Sequence, residues 1–106
     1  MAADGVNPSA GELLPIYRQI REGYTEGLAK RGTFQVLDLT PLRCIPASSS
    51  LSNGRACLIQ FFRIRDTRFH SYVVRDRDVI GVERAADGEW TAVTLTIADA
   101  KELLAQ

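Results

Sequence analysis

The residues of this chain best suited to chemistry or recognition lie between Arg55 and Arg77. There arginines are interleaved with Phe61, Phe62, Phe69, His70 and Tyr72. Exposed aromatic rings offer planes on which unpaired bases stack, at about 1–3 kcal/mol per base, while neighbouring arginines neutralise phosphates. Arginine and aromatic residues are also enriched where proteins meet proteins. Read as two strands around a short Asp66-Thr67 turn, the stretch pairs Ile64 with Phe69, Arg63 with His70 and Phe61 with Tyr72. Period-2 alternation then divides it into two faces. Leu58, Phe62, Ile64, Phe69 and Val73 form an apolar face expected in the core. Phe61, Arg63, Arg65, Arg68, His70 and Tyr72 form a basic–aromatic face, and these six are the candidate contact residues. A three-residue turn would shift this register and separate Phe61 from Tyr72. Cross-strand packing of arginine on aromatic rings also stabilises a solvated sheet without any ligand.

Catalytic and metal-binding patterns are not visible beside this stretch. His70 is the sole histidine, and only Asp66 and Asp76 lie close enough in sequence to orient it. With Cys44 and Cys57 as the only cysteines, a set of three or four metal ligands is not assembled. The two thiols are expected to be free in a reducing compartment; a Cys44–Cys57 bridge would need an oxidising one. No serine in the Ser48-Ser49-Ser50 run sits in a nucleophile elbow. No cofactor is expected, and an enzyme is the least favoured class. Trp90 can serve in either the core or an interface.

Composition bounds the object itself. A chain of 106 residues with 45% apolar and 25% charged side chains suits one globular domain. No apolar run approaches the roughly 18–20 residues needed to cross a bilayer. The opening MAADGVNPSAG has neither a basic nor an apolar leader region, so a cytoplasmic location is expected. Net charge is zero but unevenly spread: residues 55–77 carry six arginines against two aspartates, and residues 78–106 carry two bases against six acids. That asymmetry suits a basic patch for a partner, or opposite patches that self-associate as a homodimer.

Around the hairpin the pattern implies the supporting elements. Residues 1–11 are small and polar and are expected to be a disordered tail, with a single domain over 12–106. Leu13, Ile16, Tyr17, Ile20, Tyr24 and Leu28 recur at helical spacing, and Pro15 fits a first helical position, giving a helix from Pro15 to Arg31. Lys30, Arg31 and Gly32 suit its C-terminal end. Thr33 to Leu39 alternates as a strand, and Thr40 to Gly54, with Pro41 and Pro46, reads as a long loop. Strands at 56–65 and 68–75, a bend at Asp76 to Asp78, and a second hairpin follow. In that hairpin a two-residue Asp87-Gly88 turn sets Val82 opposite Val93 and Ile80 opposite Leu95. A short helix over 98–105, capped by Thr96, ends the chain.

The expected fold is therefore α+β, a single domain with a mainly antiparallel five-stranded sheet between an N-terminal and a short C-terminal helix. Both helices are expected on one face, and a curved sheet or partly closed barrel fits the same pattern. Strands followed by the closing VTLTIADAKELLAQ are similar in outline to the PC4-like single-stranded DNA-binding fold, over about the last half of the chain. The expected function is a small non-enzymatic binding protein of adaptor, accessory or inhibitor type. It would dock the basic–aromatic face onto a protein partner, or alternatively onto single-stranded nucleic acid.

Overall fold

The structure is a computed structural model that describes residues 7–28, 35–48, 53–66 and 68–105, with side chains through Arg21 in the first of these. Its elements are α1 (Ala10–Leu28), β1 (Gln35–Pro46), β2 (Gly54–Asp66), β3 (Ser71–Arg84), β4 (Trp90–Val93) and α2 (Ile97–Leu104). The strands form one antiparallel sheet in the order β1-β2-β3-β4. The α+β architecture with a helix at each end is thus present. The sheet has four strands where five are expected from sequence, because the bend expected at Asp76 to Asp78 is not there. Instead β3 runs unbroken, pairing Gly54↔Glu83 through Asp66↔Ser71 with β2 in regular register. The Arg75-Asp76-Arg77-Asp78 alternation, which resembles a solvated turn, places the aspartates on one face and the arginines on the other.

α1 begins earlier than Pro15. Ser9 and Glu12 form a reciprocal cap, with Ser9 N donating to Glu12 Oε1 (2.9 Å) and Glu12 N donating to Ser9 Oγ (3.2 Å). Pro15 therefore sits inside the helix, where it gives up the bond to the Gly11 carbonyl. Of the tail expected over residues 1–11, residues 1–6 lie outside the described residues, and Pro8 is buried beside the helix start. The C-terminal signals at Lys30, Arg31 and Gly32 also lie outside them.

Much of the loop expected over 40–54 is strand. β1 continues to Pro46, with register irregularities between Val36 and Asp38 and between Pro41 and Arg43 that leave Leu37 and Leu42 bulged. Two bulges break period-2 alternation, and two prolines imitate a loop. Both prolines stand opposite odd-numbered β2 residues (Ile59 and Arg55), as does Cys44 opposite Cys57 at a Cα separation of 4.1 Å. So short a separation marks a pair that does not exchange hydrogen bonds, so its backbone groups point away from β2. Proline is tolerated at such edge positions because no ladder donor is lost. The same opposition brings Cys44 and Cys57 into a disulfide, correcting the expectation of free thiols.

The helices cover opposite faces of the sheet, not one. Leu13 and Tyr17 of α1 pack on Val36, Leu39, Cys57, Ile59, Phe61, Ile80, Val82 and Trp90. Leu103 of α2 packs on Ile45, Ala56 and Leu58. Along β2 the first set is odd-numbered and the second even-numbered, so strand alternation assigns them to the two sides. Residues 54–59 of β2 are consequently buried throughout. α2 is anchored by Thr96, whose Oγ1 accepts from Asp99 N (3.2 Å). The Asp99 carboxylate turns to the end of β1, accepting from Ser48 N (2.9 Å) and Ser48 Oγ (3.0 Å). Those donors hold its carboxyl below the usual aspartate range.

The β3–β4 hairpin keeps its turn but not the expected register. Val82 faces Ala92 and Gly81 faces Val93. Gly88 N donates to Ala85 O, Ala85 N donates to Glu89 O, and Gly88 adopts φ +91°. This is a three-residue loop closed by a left-handed glycine, one residue longer than the two-residue turn. The slip sets Gly81 against β4, where a Cβ would stand 2.9 Å from the Val93 carbonyl oxygen. Gly81→Ala should therefore lower stability by about 1–3 kcal/mol in chemical denaturation. An unchanged midpoint would show that β4 is not held against β3 in this way.

Candidate docking surface

One side of the sheet is set by α1, and Tyr17 is the residue that sets it. Its ring tilts against Phe61 at 4.9 Å between centroids. Its hydroxyl reaches over β2 to donate to Asp78 Oδ2 on β3 at 2.7 Å. Next to it, Arg18 Nε and Nη2 donate to the Val36 carbonyl oxygen on β1 (3.1 and 3.0 Å). A single helical turn thus ties three strands. Burial, and then the hydrogen bond to the Asp78 carboxylate, push the Tyr17 phenol well above its ordinary value of 10.0.

The six candidate contact residues divide under this arrangement. Phe61 is 3% exposed beneath Tyr17 and is core, so it offers no stacking plane. Arg63 is half-buried, and its Nε donates to Asp76 Oδ2 at 2.6 Å. Arg65, Arg68, His70 and Tyr72 are exposed and gather at the far end of the β2–β3 hairpin. Arg65 stands opposite Tyr72, the His70 and Tyr72 rings are 5.6 Å apart, and the Arg68 guanidinium lies 5.9 Å from the Phe69 ring.

The expected core face gives up residues in return. Leu58 is buried under α2, but Phe62 is 37%, Val73 57% and Phe69 86% exposed. β2 ends at Asp66 and β3 begins at Ser71, which face each other, so Ile64 faces Val73 and Phe61 faces Asp76. Compared with the expected pairing this is a slip of four positions. An even slip preserves which residues share a face, so the division of β2 into odd and even sets holds. Which set is covered does not follow from alternation, because each helix takes one side and α2 is short. Beyond α2, the even side of β2 and the odd side of β3 present Phe62, Ile64, Val73, Arg75 and Arg77.

The charges on the two sides differ in kind. Asp76 is paired with Arg63, and Asp78 accepts from both Tyr17 and Val79 N (2.8 Å). Arg65, Arg75 and Arg77 are exposed and have no ion pair among the described residues. Although the net charge of the chain is zero, the hairpin end is basic. Among the described residues no group of three histidine, cysteine, aspartate or glutamate side chains is placed to hold a metal, and no helix is long and apolar enough to cross a membrane. Elsewhere, Glu12, Ile16 and Gln19 of α1 and Trp90 line an open cleft of about 390 Å³ between the helix and the β3–β4 turn. Its Glu12 is already committed to capping α1.

No family model, no curated protein and no solved structure matches this sequence. The residues that sequence reasoning leaves out of the surface are Phe62, Phe69, Val73, Arg75 and Arg77. The exposure of the two arginines, without an ion pair among the described residues, follows only once β3 is seen to run straight through them.

The Tyr17 contact has a consequence at high pH. Above about 10 the unfolded chain ionises this phenol, whereas the folded chain holds it neutral. The stability it contributes is therefore complete below that pH and declines as pH rises toward the higher folded value. Tyr17→Phe should lower stability near neutrality by about 1–3 kcal/mol through the lost hydrogen bond, and flatten this alkaline decline. Urea midpoints measured from pH 7 to 11 check both effects. Parallel curves for the two proteins would remove Tyr17 from this role.

Proposed function

We propose that this protein is a small non-enzymatic binding protein that docks the far end of its β2–β3 hairpin onto another protein. The observation that carries this reading is the exposure of Phe62 and Val73 on one side of the hairpin, Tyr72 on the other and Phe69 at its end, beside arginines that lack ion-pair partners among the described residues. Scattered apolar residues are ordinary on protein surfaces, but a cluster bordered by unpaired charge marks an interaction site. Phenylalanine, tyrosine and arginine are enriched at interfaces, and tyrosine and arginine are among the types that carry most of the binding energy.

A protein partner is favoured over single-stranded nucleic acid because of Phe61. A base-stacking platform needs neighbouring rings on one open face, and Phe61 is taken into the core by Tyr17. Beside Phe62 stands the aliphatic Val73, which offers no ring plane, and on the other side the exposed ring pair is His70 and Tyr72 at the hairpin end, with Phe61 withdrawn from it. The Cys44–Cys57 bridge also favours an oxidising compartment over the expected cytoplasm.

The reading is tested by affinity capture from the native host with the wild-type protein and with Phe69→Ser/Val73→Ser. These two side chains are exposed, so the variant should keep the wild-type melting temperature. A partner held by the wild type should bind the variant roughly 30-fold more weakly, the loss of about 2 kcal/mol expected of a central contact. Undiminished capture by the variant would overturn the surface. Salt-sensitive binding of a labelled oligothymidylate, lost in Tyr72→Ala, would instead favour the nucleic-acid reading.

A further inference from the structure

The two outer edges of the sheet are treated differently. β1 is blunted along its length by Pro41 and Pro46 at outward positions and by bulges at Leu37 and Leu42. In addition, Asp38 Oδ1 accepts from Leu39 N (2.9 Å), occupying a donor that faces outward. These are the devices by which proteins prevent an edge strand from pairing. The outer edge of β3 has far less of this. β4 pairs only with Gly81–Arg84, so Ser71–Ile80 has no strand beside it among the described residues. Because odd-numbered β2 residues bond toward β3, the odd residues of β3 point their N–H and C=O groups outward. At Val79 the N–H is taken by Asp78. From Ser71 to Arg77 there is no proline and no bulge, and no side chain folds back onto an outward N–H among the described residues.

The charge pattern selects what can pair there. Two copies of β3 joined edge to edge in one sheet are related by a two-fold axis normal to the sheet, which keeps each face on its own side. Residues of equal parity then lie opposite each other. In the register centred on Asp76, Arg75 meets Arg77 and Asp76 meets Asp76; in the one centred on Arg77, Arg77 meets Arg77 and Asp76 meets Asp78. Like charges directly opposed are destabilising, so those registers oppose symmetric self-pairing. The register centred on Val74 sets Arg75 against Val73 and Arg77 against Ser71, and leaves both arginines without a carboxylate opposite. The acids on one side are already satisfied within the molecule, whereas Arg75 and Arg77 on the other side are not paired among the described residues.

We propose that the Ser71–Arg77 edge of β3 accepts an extended segment of a different protein as an added strand, with acidic side chains at alternate positions facing Arg75 and Arg77. The backbone groups of Ser71, Val73, Arg75 and Arg77 supply the ladder, and the alternate carboxylates supply selectivity. The proposal rests on the docking reading above and specifies the chemistry of its partner.

The test uses the full chain and two fluorescein-labelled ten-residue peptides, one alternating valine with glutamate and one alternating valine with lysine. At low salt the glutamate peptide should bind at least about tenfold more tightly by anisotropy, equivalent to about 1.4 kcal/mol. The backbone amide signals of Val73, Arg75 and Arg77 should be the ones that move in NMR spectra. Arg75→Glu/Arg77→Glu should reverse the preference, and Arg75→Gln/Arg77→Gln should abolish it without reversal. Equal binding of both peptides, or signal changes confined to other elements, would overturn the proposal. So would a charge-reversed variant with wild-type preference. If neither peptide binds while Phe69→Ser/Val73→Ser still loses the native partner, edge addition falls and hairpin docking stands.

Discussion

The seat of Tyr17 on the sheet governs the rest of this molecule. Its ring must cover Phe61 and its hydroxyl must find an acceptor, because a buried phenol without one is costly. Asp78 is that acceptor, and it lies on the same side as Phe61 only because β3 runs straight past β2 in antiparallel register. Once that side is fixed as core, every alternate residue of β2 and β3 is committed to it. Asp76 then forms its ion pair with Arg63, and Arg75 and Arg77 are sent to the other side, beyond the part that α2 covers.

The disulfide and the second helix complete this arrangement at the opposite end. Cys57 lies in the part of β2 that is buried on both sides, and its bridge to Cys44 holds an edge strand whose own pairing is interrupted twice. Leu103 and the Asp99–Ser48 contacts close the even side of the sheet there. The molecule is long, at 53 × 30 × 23 Å, and its apolar cover is concentrated at one end of the sheet. The far hairpin therefore carries aromatic residues without a helix above them. That exposure, joined to arginines without an ion pair among the described residues, is the physical content of the proposed docking surface.

Several features were legible from residue types alone. Helical spacing in Leu13, Ile16 and Tyr17, the Thr96 cap and the odd–even division of β2 all correspond to what the chain forms. Others were hidden by competing signals. Pro15 draws attention as a helix start, yet Ser9 and Glu12 three residues apart are the stronger physical signal and place the start earlier. Pro41 and Pro46 suggest a loop, although proline on an outward edge position leaves a strand intact. Arg75 to Asp78 reads as a turn by composition, but alternating charge is equally what a strand with two different sides requires. The exposure of Phe62 and the burial of Phe61 were not legible, because alternation separates two sides without saying which one a helix will cover.

Between Tyr72 and Asp78 the odd and even residues of β3 have different surroundings. Residue-resolved amide hydrogen exchange on the free protein measures this directly. The account predicts slow exchange at Val74, Asp76 and Asp78, which bond to β2, and fast exchange at Val73, Arg75 and Arg77, whose amides face outward. Equal protection at odd and even positions would contradict it, since the edge would then be covered in the isolated protein.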